Sequence, residues 1–348
     1  MRKSKITALF LAAAMVLSMT ACSSSSDTQT SADTTAQADT ANQAQSENTE
    51  SDSGTEAASD GETYKIGVLQ LTQHAALDAA NEGFIAALDE SGISYEVDQQ
   101  NASGDQSTCQ TIASKLVNDG DDLILAIGTP AAQAVAGTTE DIPILVTAVT
   151  DPAASGLVES NETPGGNVTG TSDLTPVTEQ IDLLKRILPD AQTVGILYCT
   201  AESNSDIQAA MAREAIEAQG MTAEDFTVSS SNEIQTVVTS MVGAVDAIYA
   251  PTDNTIAAGM ATVAMVANEN GLPVICGEEG MVNAGGLATY GIDYYELGYL
   301  TGQQAVKILA EGADPAEMPI EYLASDKCEL SVNEETAQAL GIDVSGLE

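Results

Sequence analysis

The sequence predicts an α/β protein built from two doubly wound parallel-sheet lobes joined by a hinge. Three observations carry the prediction. Short runs rich in Val, Ile and Leu recur without polar alternation, as strands buried on both faces do. Stretches of helical length separate them, which gives β-α-β-α order. The series occurs twice, once from Tyr64 to about Asp173 and again from "TPVTEQIDLLKRILPDAQTVGILYC". The roughly 285 residues from Tyr64 onward are also more than one core usually holds.

The N-terminus comes first in order. In "MRKSKITALFLAAAMVLSMTAC", Arg2, Lys3 and Lys5 precede an apolar run, Ile6 to Leu17, and small residues precede a cysteine. That run is shorter than the ~20 residues of a membrane span. Residues 1–21 therefore read as a lipoprotein signal peptide and Cys22 as the lipidated residue, which puts the chain outside the cytoplasm and anchors it to the membrane. Residues 22–61 are Ser, Thr, Asp, Gln, Ala, Glu and Gly with almost no large apolar group, and read as a disordered acidic linker.

The expected strands are Lys65–Leu71, Tyr95–Gln99, Leu123–Ile127, Ile144–Val149, Thr193–Tyr198, Ala247–Ala250, Val274–Cys276 and Leu287–Tyr290. Expected helices are Ala75–Glu90, Ser107–Asn118, Thr178–Leu188 and Asn204–Gln219, stopped by Ser-Gly, Asp-Gly, Pro189 and Gly220 respectively. The first lobe is expected over 62–174 plus about 286–318, and the second over 175–285 plus about 319–348. The Asp173–Pro176 crossing and a "GGLATYG" return, 285–291, are the expected hinge strands. Ligands of such sheets bind at the carboxyl ends of the strands, so the cleft between lobes is the expected site.

Composition narrows the function. After Cys22 the basic residues are Lys65, Lys115, Lys185, Arg186, Arg213, Lys307 and Lys327, against 52 Asp and Glu in the whole chain. This balance argues against nucleic acid and against a strongly anionic substrate. With so few cations, a ligand carboxylate would be held by helix N-termini and hydroxyls. Cys109, Cys199, Cys276 and Cys328 lack metal spacing and read as small buried residues. One histidine, no CxxC and no HExxH give no metal site, and no cofactor is expected. The same single histidine, with no phosphate loop and no Ser/His/Asp arrangement, argues against an enzyme.

The residues just past each strand are the candidate ligand contacts. Thr72 and His74 follow the first strand, His74 either as a helix-entry residue or as a contact. In "IGTPAAQAVAG", Thr129 can cap a helix that Pro130 opens, which makes an anion cradle. Thr150 and Asp151 follow the fourth strand, and Asp151 reads as an N-cap or as a contact. In the second series come Tyr198, Glu202 and Asn204, then Asp253 and Asn254 in "DAIYAPTDNTIAAG". Asp253 reads as a cap or as the partner of a ligand ammonium. Glu278 or Glu279 follows the next strand. Hydroxyls and helix N-termini on one lobe with carboxylates on the other suit an amino acid.

Taken in order, "KIGVLQLTQHAALDAANEGF", "LILAIGTPAAQAVA", "TAVTDPAASGLV", "VGILYCTAESNS", "AIYAPTDNTIAA" and "GIDYYELGYLTGQQAVKIL" resemble the ABC-transporter substrate-binding lipoproteins of the tryptophan/tyrosine-binding type. The resemblance spans Lys65 to about Leu340. The usual His-Pro-Ala-Leu-Asp of that group reads His74-Ala75-Ala76-Leu77-Asp78 here. The resemblance implies a type I periplasmic-binding-protein fold and a monomer that closes on a small solute, often an aromatic amino acid. It further implies delivery of that solute to a permease driven by an ATPase. A sugar or nucleoside, or a surface sensor on the same fold, is the alternative.

Overall fold

The computed structural model describes residues 63–324 and 327–347. The expected signal peptide, Cys22 and the linker lie outside the described residues.

The first sheet opens with β1 (Tyr64–Gln70), α1 (Ala75–Ser91), β2 (Tyr95–Asn101), α2 (Gln106–Asp119), β3 (Leu123–Ile127), α3 (Thr129–Ala136), β4 (Ile144–Val149) and β5 (Val168–Ser172). The chain then crosses to α4 (Val177–Ile187), β6 (Thr193–Cys199), α5 (Ser203–Ala218), β7 (Thr222–Val228) and, past a 3-10 turn, α6 (Ile234–Met241). The second sheet continues with β8 (Ala247–Ala250), α7 (Asn254–Ala258), α8 (Met260–Glu269), β9 (Val274–Cys276), α9 (Glu279–Asn283) and β10 (Ala288–Gly291). The chain returns through α10 (Tyr294–Glu311) to β11 (Glu321–Tyr322) and ends with β12 (Glu329–Val332) and α11 (Glu334–Leu340).

Strand order is β11-β5-β4-β3-β1-β2 in one sheet and β12-β10-β9-β8-β6-β7 in the other, so the two lobes repeat one topology. All named pairings are parallel except β10 with β12. The central strands earn their places by composition: every residue of β3 and β4 is buried, whereas the edge strands β2 and β7 carry polar residues outward. In each sheet the order reverses beside the first strand, at β1/β3 and at β6/β8. The carboxyl ends of these four strands are where such folds bind ligands.

Two expectations about the return are corrected. "GGLATYG" is not a crossover, because β10 pairs with β9 and β12 in the second sheet. Leu287, Ala288 and Thr289 are fully buried there, as a central strand requires and an exposed connection does not. The return follows at Ile292 and Asp293, where Asp293 caps α10 through the N–H groups of Tyr295 and Glu296. Residues after 318 do not pass at once to the second lobe either. β11 pairs with β5 and covers what would be an open sheet edge, and the last crossing comes between β11 and β12.

α10 packs along α1, and small residues make this approach possible. A Cβ on Gly298 would overlap the Ala80 carbonyl oxygen, and one on Gly83 would overlap that of Tyr295. This contact ties the returning helix to the first lobe, whose core includes Phe84, Leu88 and Leu297. The second sheet has a separate cluster on each face.

Candidate functional site

The switch-point strand ends converge on a narrow inner chamber, about 290 Å3 when its opening to solvent is included. From the first lobe it is lined by His74, Ala76 and Leu77 after β1, Ala148 and Thr150 at the end of β4, and Asp173 after β5. The second lobe supplies Asn204, Thr252, Asp253, Asn254 and Glu278, and Tyr294 stands at the return. A register shift between Val146 and Val149 bends β4, with Ala148 at φ 53, and brings Ala148 and Thr150 to the chamber wall. Asn254 also lines a second, outer space of about 630 Å3 that includes its opening to solvent, together with Thr72, Ser103, Cys199, Glu202 and Thr255.

Hydrogen bonds between the lobes close the cleft. His74 Nε2 lies 3.2 Å from Asn254 Oδ1, Gln208 Nε2 donates to Thr150 Oγ1 at 3.0 Å, and Gln133 Nε2 donates to Ser203 Oγ at 3.2 Å. At the rim, Gln106 Nε2 donates to the Ala201 carbonyl at 2.6 Å.

Of the ten expected contacts, His74, Thr150, Asn204, Asp253 and Asn254 line the inner chamber, while Thr72 and Glu202 line the outer space. Thr129, Asp151 and Tyr198 line neither. Thr129 does not cap α3. Gly128, at φ 95, holds the cap position, and Thr129 is buried in the first turn with its hydroxyl unpartnered. Asp151 caps its own turn, accepting from Ala154 N–H at 3.1 Å and from Asn161 Nδ2 at 3.0 Å. Tyr198 belongs to the core cluster of α4 and α5, because its neighbours Leu197 and Cys199 take the opposite face of β6.

The acidic residues divide by whether their oxygens are already engaged. Asp253 accepts from Ile256 N–H at 2.8 Å on one oxygen, and from Cys199 N–H at 2.6 Å and Ser205 Oγ at 2.7 Å on the other. Glu202 accepts from Asn254 and Thr255, backbone and side chain, over 2.6–3.2 Å. Glu278 caps α9 through the N–H groups of Gly280 and Met281. These three bind the second lobe's own helix entries. Asp173 differs: Tyr294 donates to Oδ2 at 2.8 Å, and Oδ1 is buried without a partner. Asn204 Oδ1 is likewise buried and unpartnered, while its amide nitrogen donates to Thr252 O at 3.3 Å.

Among the described residues no Lys or Arg lines the chamber, and burial raises its acids. It pushes the Asp173 carboxyl up to about 6 and Glu278 up to about 7. Burial first, and then the Glu202 carboxylate, pushes Asp253 up to about 7. His74 is moved the other way, pulled down by burial. No side chain caps the first turn of α1, and two of that turn's residues, Ala76 and Leu77, line the same chamber as Asp173. Free N–H groups there favour negative charge. The chamber thus has bare acceptors for a cation and an uncapped helix start for an anion.

Sequence reasoning did not name Asp173, Thr252 or Tyr294 among the candidates, placing Asp173 only at the hinge, yet all three line the chamber. The available signal for Asp173 was an Asp directly after the buried "VTGTS" strand. Of the cysteines, Cys109, Cys199 and Cys276 are buried as expected, but Cys328 is half-exposed, and all four are free thiols.

Comparison with known proteins agrees with this architecture. The family model described as ABC transporter substrate binding protein matches residues 65–346. The chain is 44% identical over 279 residues to a tyrosine-binding protein of Clostridioides difficile (strain R20291), covering 79% of this chain and 80% of that one. Among solved structures, an ABC domain from Streptococcus pneumoniae in complex with L-Trp superposes with a TM-score of 0.79 at 40% identity, over 82% of this chain and 97% of the other. A ligand-free, open substrate-binding protein with adhesive properties from Clostridium difficile gives 0.63 at 45% identity over the same shares. The lower score at the higher identity points to a difference in lobe setting rather than in sequence, in keeping with the closed cleft seen here. Two parallel-sheet lobes of the type I periplasmic-binding-protein class, the closed cleft and the match over residues 65–346 establish that this chain belongs to the ABC transporter substrate-binding protein family.

Proposed function

We propose that the chain binds a zwitterionic aromatic amino acid, tyrosine or tryptophan, in the inner chamber. The observation that carries this reading is the pairing of bare buried acceptors with an uncapped helix start. The ligand ammonium takes Asp173 Oδ1 and Asn204 Oδ1, and its carboxylate takes the free N–H groups of the α1 first turn. Burying an ammonium costs several kcal/mol unless it is paired, and Asp173 offers the pairing. Asp253, the ammonium partner expected from sequence, has both oxygens engaged and holds the site's wall instead. The aromatic side chain extends past Asn254 toward the outer space. The named ligands of the relatives, tyrosine and tryptophan, support the choice.

Around that site we read an extracytoplasmic lipoprotein. The signal-peptide pattern, the lipid on Cys22 and a linker over 22–61 tether a monomeric receptor that hands its solute to a permease and ATPase. The chain performs no chemistry on the solute. The experiment is a thermal-stability screen of protein stripped of carried-over solute against amino acids, sugars and nucleosides. A ligand at 100 times its Kd adds about 2.7 kcal/mol of apparent stability, a rise of several degrees. A rise with tyrosine or tryptophan supports the reading, and a rise confined to sugars or nucleosides contradicts it.

A further inference from the structure

The hydrogen bonding around His74 determines what its ring can accept. Asn254 Nδ2 donates to Glu202 Oε2 at 2.6 Å, so Asn254 Oδ1 is the acceptor that faces His74. His74 Nε2 therefore carries the proton and donates across the cleft. Burial pulls the imidazole pKa below its usual value and so favours the neutral ring, and a neutral imidazole protonated at Nε2 has a bare lone pair at Nδ1. That atom is buried and has no partner. His74 lines the inner chamber, and its partner Asn254 lines both chambers, so the ring stands where the two meet.

We infer that His74 Nδ1 is a specificity element that accepts a hydrogen bond from an N–H or O–H on the ligand's ring. The inference rests on the amino-acid reading above, in which Asp173 and Asn204 hold the head group and the side chain passes His74. Tyrosine's phenol or tryptophan's indole N–H satisfies the lone pair. Phenylalanine leaves it buried and unpaired, and a site built to hydrogen-bond a ligand group rejects the analogue that lacks it.

The test is calorimetric titration of the full chain with L-Tyr, L-Trp, L-Phe and 3-(3-benzothienyl)-L-alanine, a near-isostere of Trp without the N–H. At least one of Tyr and Trp should bind roughly 10- to 100-fold tighter than its donorless counterpart. In His74→Phe that ratio should collapse toward 1, and His74→Gln, which can donate to Asn254 while offering its own carbonyl, should restore part of it. Donorless ligands binding within threefold of both Tyr and Trp overturn the inference while leaving the amino-acid reading intact. Equal loss of all four ligands in His74→Phe, with no rescue by His74→Gln, also overturns it. Absence of binding by all four ligands to the wild type overturns the amino-acid reading itself. The isostere comparison on the wild type holds even where a variant fails to fold.

Discussion

Asp173 stands apart in the chamber, because no Lys or Arg among the described residues lines it and one Asp173 oxygen is unengaged. Replacing it with Asn should weaken amino-acid binding roughly 30-fold or more, as loss of one partner of a buried charge pair does, with calorimetry as the readout. The pH dependence has a definite sign. In the free protein the carboxyl is raised to about 6, so below pH 6 a ligand ammonium must displace a proton. Affinity should fall by about tenfold per pH unit below that point, and Asp173→Asn should remove this slope. Stability of the ligand-free protein runs oppositely. Asp173, Asp253 and Glu278 titrate higher folded than unfolded, so between about pH 4 and 7 the native state holds the extra protons. Their contribution is fully present below pH 4 and is lost as pH rises through about 6 to 7. His74, pulled down by burial, opposes this trend. Urea unfolding across that range measures it. The strand-end rule found His74, Thr150, Asn204, Asp253 and Asn254 in the sequence, since position after a parallel strand is a local property. It did not separate Asp253 from Asp173, because the engagement of an oxygen depends on residues such as Cys199 and Ser205, 54 and 48 positions away from Asp253.

At the scale of elements, the buried strands rich in Val, Ile and Leu were legible because β3, β4, β6 and β8 need no partner to declare themselves, whereas the buried β5 is VTGTS, mostly small and polar. β5, β7, β11 and β12 were not, for physical reasons. β7 is an edge strand whose outward face is polar, and β11 has only two residues, too few to show a period. The GGLATYG segment misled because glycines suggest a connection. In fact Gly286 gives way to Cys276 Sγ and Gly291 lies close to α9, so both serve close packing around a buried strand. The α1 and α10 contact depends on small residues in the same way. Gly298→Ala has no room for its methyl against a backbone oxygen and should destabilise the protein by about 3 kcal/mol, lowering Tm by about 6–12 °C in a thermal scan.

The whole molecule joins two copies of one topology across a cleft. A ligand favours the closed form by as much as its contacts differ between the two forms. Gln208 belongs to the closed form: it reaches from α5 to Thr150 while also bonding Thr252. Gln208→Ala should bias the protein toward an open form, giving a larger radius of gyration in solution scattering at subsaturating ligand and a weaker Kd. The central claim is that the closed cleft recognises both charges of an amino acid. It is tested most directly by calorimetric titration with L-tyrosine, with tyramine, which lacks the carboxylate, and with 3-(4-hydroxyphenyl)propionate, which lacks the ammonium. L-tyrosine should bind, and each truncated analogue should bind roughly 30-fold or more weakly. Equal binding of either analogue, or no binding of L-tyrosine alongside tight binding of a sugar, would contradict it.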